Sequence, residues 1–160
     1  MSFFDIDEAI IELSNTVEFA RSPFTDIKEF SPVDVGIVEG ALGNVEQEET
    51  IRKLRANCRI LMAWGDCACF GGVASMRNLF DVKDVIRRSY VETESNLTDE
   101  SVSFKEVPRL LDQVKPVNQV VRVDCYLPGC PPSANVIRYA LGQILKGRIP
   151  VLPSETFRYG

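Results

Sequence analysis

Five cysteines and no histidine define the chemistry open to this 160-residue chain. Without an imidazole there is no Ser-His-Asp or Cys-His pair to activate a nucleophile, and no His-ligated zinc site. Thiolate chemistry is what remains. Two cysteine-bearing segments are dense in glycine or proline: Gly65-Asp66-Cys67-Ala68-Cys69-Phe70-Gly71-Gly72 and Leu127-Pro128-Gly129-Cys130-Pro131-Pro132. Glycine lets the backbone approach a bulky inorganic group and proline stiffens the turn, so a thiolate there can be fixed at the geometry an iron-sulfur cluster requires. Cys67 and Cys130 are therefore the expected ligands. Cys69, in a Cys-x-Cys pair with Cys67, either shares the same centre or lines its pocket. Cys58, which precedes an apolar run, and Cys125, which alternates with Val121 and Val123, are expected to pack as small hydrophobes. On spacing alone, zinc fits the two loops as well.

The rest of the composition narrows the class. Eighteen basic against 23 acidic residues leave a formal charge of −5, which is no surface for neutralising nucleic-acid phosphates. Hydrophobic residues at 45% and charged residues at 26% match an ordinary globular chain, so disorder is not expected. The length suits one domain, residues 1–160. Apolar runs such as Ile60-Leu61-Met62-Ala63-Trp64 are far too short to cross a bilayer. An odd cysteine count, with no basic start and apolar stretch after Met1, points to a reducing cytoplasm rather than a disulfide framework.

The elements that must position these cysteines are read from periodicity. Ser2 as a cap and Phe3, Ile6, Ile10 and Leu13 at spacings of three and four predict an opening helix. Val17–Ala20 reads as a short strand, followed by a polar connector through Pro23 and Pro32. Val33–Val38 reads as a buried strand, Asn44–Asn57 as a surface helix carrying Val45, Ile51 and Leu54, and Arg59–Trp64 as a second strand, which together make a parallel crossover. Val82, Val85 and Ile86 mark another helix, Glu92–Ser103 an exposed excursion, Val107–Val114 a short helix, Val120–Tyr126 a strand, and Ala134–Leu145 a closing helix that ends at Gly147. The alternation predicts an α/β doubly wound, mainly parallel sheet with helices on both faces, whose ligands sit beyond the carboxyl ends of the strands. Both cysteine segments come after strand ends and so share one sheet edge. A flavin would suit such a fold, but no glycine-rich phosphate cradle is evident.

At these two loops the sequence resembles the small subunit of nickel-iron hydrogenases and a related subunit of quinone-reducing respiratory complexes. The likeness rests on Gly65-Asp66-Cys67-Ala68 followed by Gly71-Gly72, and on Val123-Asp124-Cys125-Tyr126-Leu127-Pro128-Gly129-Cys130-Pro131-Pro132-Ser133-Ala134. Met1-Ser2-Phe3-Phe4-Asp5-Ile6-Asp7-Glu8, Thr25-Asp26-Ile27-Lys28, Val38-Glu39-Gly40, Met76-Arg77-Asn78 and the tail ending Tyr159-Gly160 are similar, more narrowly, to the small subunit of the cytoplasmic bidirectional NAD-reducing hydrogenases. The resemblance implies a flavodoxin-like domain holding one [4Fe-4S] cluster beside a Ni-Fe centre on a separate large subunit. It also implies electron delivery to diaphorase iron-sulfur and flavin subunits, where FMN reduces NAD. By the same likeness Cys67 and Cys130 are two cluster ligands, and Glu39 lies near the cluster, able to accept a hydrogen bond, carry a proton or replace a thiolate. The plainer reading of Glu39, a loop charge beside the following helix, stays open. Trp64, Phe70 and Tyr126 are expected to pack in the core, with exclusion of water from the cluster as the alternative role.

The family's other two ligands belong to a Cys-x-x-Cys loop upstream of the Met-Ser-Phe segment, after a first β-strand. The expectation is that the sequence starts at an internal methionine or omits an upstream segment, so that a central strand is missing and the sheet carries a gap. If the chain starts at Met1, Cys69 and Cys125 are the expected substitutes. No further cluster is implied, because the chain stops just after the closing helix. An apolar edge with cluster loops also calls for an obligate partner. The rival readings are the subunit of a respiratory NADH:quinone oxidoreductase, and a non-enzymatic flavodoxin-like scaffold whose cysteines are structural or hold zinc.

Overall fold

Cys58–Trp64 has one polar side chain outside its cysteine, Arg59, and it forms the strand around which the domain is arranged. The computed structural model describes residues 6, 8–22, 25–95 and 107–154. In chain order the elements are α1 (Ala9–Thr16), β1 (Val33–Glu39), β2 (Leu42–Asn44), α2 (Val45–Asn57), β3 (Cys58–Trp64), α3 (Gly65–Phe70), α4 (Val82–Tyr90), β4 (Leu110–Lys115), β5 (Cys125–Leu127) and α5 (Ala134–Leu145), with 3₁₀ turns at Val73–Leu79 and Val117–Gln119. β3 is central in a parallel sheet of order β1-β3-β5, while β2 and β4 form a separate antiparallel pair. A strand with helices above and below must be apolar on both faces. Ile60, Met62 and Trp64 pack with Ile6, Leu127, Val136, Ile137 and Ala140 on one side. Leu61 and Ala63 pack with Leu42, Ile51, Ala68, Cys69 and Val117 on the other. This is the expected α/β arrangement with helices on both faces.

Local chemistry explains most boundaries. Asn44 caps α2: its Oδ1 accepts from the Gln47 N–H at 2.8 Å, while Gln47 Oε1 accepts from the Asn44 N–H at 3.2 Å. This reciprocal box satisfies donors that the first helical turn leaves unpaired. Asp124, just before β5, is tied to β3 by its side chain as well as its backbone. Its carboxylate accepts from the Leu61 N–H and pairs with the guanidinium of Arg55, while its own N–H donates to Leu61 O at 2.9 Å. Burial opposes the charge on Asp124, but the Leu61 N–H and Arg55 outweigh it and hold its pKa below the ordinary value.

Several expectations are corrected. Val17–Ala20 is not a strand; Val17 is the extended residue ending α1, and it pairs with no strand among the described residues. Val107–Val114 is not a helix. Its Leu110, Leu111 and Val114 mimic helical spacing, but Leu110–Lys115 is β4, running against β2 and stopped by Pro116. The strand expected over Val120–Tyr126 shrinks to Cys125–Leu127, so Cys125 does not share a face with Val121 and Val123: it packs with the first cluster and they pack against the second. The segment Gly65–Phe70 is a helix rather than a loop. The central gap is not found either, since β1 pairs directly with β3 from Val33↔Cys58 to Glu39↔Trp64. The Ser2 cap and most of the 92–103 excursion lie outside the described residues.

Candidate metal centre

Glu39, Trp64 and Leu127 are the last residues of β1, β3 and β5, and they stand in one row: Glu39 is in register with Trp64, and Trp64 with Leu127. Parallel neighbours are about 4.8 Å apart. The chain therefore leaves all three strands at one edge. Cys67 comes three residues after Trp64, Cys130 three after Leu127, and Glu39 is itself the exposed end of β1.

The two cysteine segments are fastened to each other by the residues that immediately precede the cysteines. The Asp66 N–H donates to Gly129 O at 2.9 Å, and the Gly129 N–H donates back to Asp66 Oδ1 at 2.7 Å. The second bond is charge-assisted, the stronger kind. Only glycine can serve at 129. Its φ is +134°, and a Cβ there would lie 2.6 Å from Pro132 Cα. Gly65, at φ +82°, turns the chain out of β3 towards the same place, where a Cβ on it would meet Gly129 O at 3.5 Å.

Around Cys67 the backbone is fitted to the sulfur. Gly71, in the left-handed conformation, ends α3 with its N–H on Cys67 O. A Cβ on Gly72 would come within 2.8 Å of Cys67 Sγ, so the chain passes the thiol at a distance that no other residue permits. Cys67 is half-buried and Cys130 exposed, and no cysteine is in a disulfide. Glu39 is exposed at the same edge and lines a cavity of about 150 Å³ with Leu42, Gln47 and Leu54.

The other three cysteines are core residues. Cys69 is 1% exposed, donates to Ala63 O at 3.4 Å, and burial pushes its thiol up to about 12. Burial pushes Cys125 up to about 11, with its Sγ on Pro150 O, and raises Cys58 as well. A neutral buried thiol is a poor ligand. Cys69 lies in the core with Leu61 and Ala68, and the packing expected of Cys58 and Cys125 is observed. Among the described residues no group of three or more His, Cys, Asp or Glu side chains could hold a metal ion. What the described residues offer at this edge is two accessible thiols, Cys67 and Cys130, the donor type an iron-sulfur cluster takes.

The aromatics divide. Trp64 is in the core at 7% exposure, whereas Phe70 at 54% and Tyr126 at 37% are not core residues. Phe70 begins a run of exposed apolar side chains, continuing with Val73, Met76, Leu79 and Phe80, directly after the Cys67 helix. Sequence reasoning missed Asp66 as the fastening residue. The signal was present: Asp66 and Gly129 occupy the same position, one before each outer cysteine.

Among the described residues no helix is long and apolar enough to cross a membrane. Residues 1–144 match the family described as NADH ubiquinone oxidoreductase, 20 Kd subunit. The chain is 38% identical, over 99% of its length and 78% of the relative's, to the NAD-reducing hydrogenase HoxS subunit delta of Cupriavidus necator. It is 30% identical, over 89% of its length and 53% of the relative's, to the sulfhydrogenase 2 subunit delta of Pyrococcus furiosus. A crystal structure of an NAD⁺-reducing [NiFe]-hydrogenase in the H₂-reduced state contains a chain that superposes with a TM-score of 0.93 at 41% identity, covering 100% of this chain and 90% of that one.

Proposed function

The chain belongs to the family of the 20 kDa subunit of NADH ubiquinone oxidoreductase, and from that premise we propose that it is the electron-transfer small subunit of an NAD-reducing nickel-iron hydrogenase. The hydrogenase relatives support the class, with a full-length likeness to the NAD-reducing kind. The observation that carries the site is the Asp66–Gly129 fastening, which holds Cys67 and Cys130 at one sheet edge beyond level strand ends.

In this reading Cys67 and Cys130 supply two thiolates to one [4Fe-4S] cluster. When bound, the cluster contributes one-electron transfer with little rearrangement, at a potential set by hydrogen bonding and burial. The protein's part is rigidity: Gly72 fixes the backbone beside the Cys67 sulfur, and Gly129 fixes the turn that carries Cys130. Glu39 is placed to hold a proton or accept a hydrogen bond at the same edge. The apolar run from Phe70 to Phe80 faces the subunit that carries the Ni-Fe centre, and diaphorase subunits with FMN take the electrons to NAD in the cytoplasm.

The test is purification with native partners, followed by quantification of iron, acid-labile sulfide, nickel and flavin, and assay of hydrogen-dependent NAD reduction. Iron with sulfide and nickel, together with that activity, is the expected result. Stoichiometric zinc without sulfide would return the chain to a scaffold role. The family description itself favours a second reading, an iron-sulfur subunit of a respiratory NADH:quinone oxidoreductase. Quinone reduction without hydrogenase activity would identify it.

A further inference from the structure

The 3₁₀ turn Val73–Leu79 is short, carries exposed apolar side chains at Val73, Met76 and Leu79, and buries none of its own. A segment of that kind has little hydrophobic reason to hold one position. Its anchors are polar. Asn78 reaches β4 and makes both bonds that a neighbouring strand would make: the Val114 N–H donates to Asn78 Oδ1 at 2.7 Å, and Asn78 Nδ2 donates to Val114 O at 2.9 Å. Next to it, Arg77 Nη2 donates to Leu111 O at 2.8 Å on the same strand. Val114 is 7% exposed, so its N–H and C=O have little water to turn to if Asn78 is lost.

The other end of the turn is tied to the ligand loop. Ser75 Oγ donates to Gly72 O at 2.8 Å, and the Ser75 N–H points at the Gly71 and Gly72 carbonyls. Gly72 in turn abuts Cys67 Sγ at a spacing that excludes even a methyl group. A continuous path therefore runs from β4 through Asn78, the turn and Ser75 to the backbone beside the sulfur.

We propose that Asn78 is a positioning residue for Cys67: by standing in for a strand on the free edge of β4, it clamps Val73–Leu79 and so fixes Gly72 against the Cys67 thiol. The inference rests on the reading of Cys67 as a cluster ligand only for its effect on iron; its effect on the thiol is independent. Arg77 shares the clamp, but two of its buried nitrogens, Nε and Nη1, lack an acceptor among the described residues, so its removal would also relieve an unpaired buried group. Asn78 is the cleaner probe.

The experiment uses the complex purified with its partners and four variants of this chain: Asn78→Leu, Asn78→Asp, Lys115→Ala and Cys67→Ser. Lys115→Ala breaks the pair that ties the end of β4 to Glu48 of α2 without touching the turn, and so controls for a merely looser β4. Three quantities are read: iron release to a ferrous chelator after exposure to air, the electron paramagnetic resonance spectrum of the reduced complex, and the ratio of Cys67 to Cys130 alkylation by iodoacetamide once iron is removed. Asn78→Leu is expected to speed iron release about 10-fold, the lower end of what losing a group bonded directly to a ligand costs in metal affinity, to alter the spectrum and to raise the Cys67:Cys130 ratio. Asn78→Asp, which keeps the acceptor for the Val114 N–H, should fall between; it decides the matter if the leucine variant does not assemble. Lys115→Ala should match the wild type. Wild-type values in both Asn78 variants, or equal effects from Lys115→Ala, overturn the proposal. Cys67→Ser that keeps its iron and spectrum would instead overturn the ligand assignment, and the alkylation ratio would then decide the clamp alone.

Discussion

Cys67 and Cys69 are two residues apart on one helical turn, and the protein treats them as different kinds of residue. Cys67 is half-buried beside Gly72 at the sheet edge; Cys69 is 1% exposed beneath the sheet, its thiol driven up to about 12 by burial. Helical geometry makes the division, because successive residues turn by about 100° and positions i and i+2 point to nearly opposite sides. A Cys-x-Cys pair in a loop could converge on one centre; on α3 it cannot. Cys125 and Cys130 repeat the contrast across the neighbouring strand end, one in the core and one in the turn outside it. The position relative to the strand end, not the spacing between cysteines, separates thiols that pack from thiols that can bind.

The contrast can be broken most sharply at the sulfurs themselves. Cys67→Ser and Cys130→Ser are each expected to remove nearly all iron from the purified complex, whereas Cys69→Ala should retain it, as read by iron per subunit. Next in size is Gly129→Ala. With φ at +134° and its added carbon 2.6 Å from Pro132 Cα, the variant must move the turn, at a cost of about 3 kcal/mol or more. Thermal unfolding should show that loss, and iron content should fall with it because the Asp66 fastening opens.

The core thiols sharpen the comparison through pH. Their folded pKa values are raised by burial, so the folded state keeps protons that the unfolded chain releases above pH 9. Their contribution is complete below that pH and is lost as pH rises from 9 towards 11 and 12, with a slope approaching about 1.4 kcal/mol per pH unit for each thiol. Denaturant unfolding across that range should show the decline, and Cys69→Ala should flatten it. The smallest effect belongs to the exposed Arg59–Asp34 pair, spaced at 3.7 Å with both side chains mostly in water. Asp34→Ala should change stability by less than about 0.5 kcal/mol and leave iron content unaltered.

Much of the frame that positions the site was legible from residue order. Asn44 before a polar, periodic stretch and Gly147 after an apolar one mark α2 and α5, and the β-branched and apolar runs at 33–38 and 59–64 mark β1 and β3. The common edge of the two cysteine segments came out of that alternation. The parts that were not legible depended on partners distant in sequence. β4 carries a helix-like spacing of leucines, and its strand form is imposed by β2 and by the side chains of Arg77 and Asn78, more than 30 residues away. Gly65 and Gly71 suggested a loop where they only bracket a helical turn. Asp66 looks like one more surface acid until Gly129, 63 positions later, is placed opposite it. Exposure misled in the other direction: Phe70 and Tyr126 were expected in the core, yet they lie on the surface.

The central claim is that the two outer thiols bind one iron centre while the inner three stay in the core. An anomalous-scattering map collected at the iron edge on the assembled complex tests it most directly. A single compact iron peak bonded to both Cys67 Sγ and Cys130 Sγ, with none at Cys58, Cys69 or Cys125, is the predicted result. Iron bonded to only one of the two, or a peak at the zinc edge in its place, would contradict it.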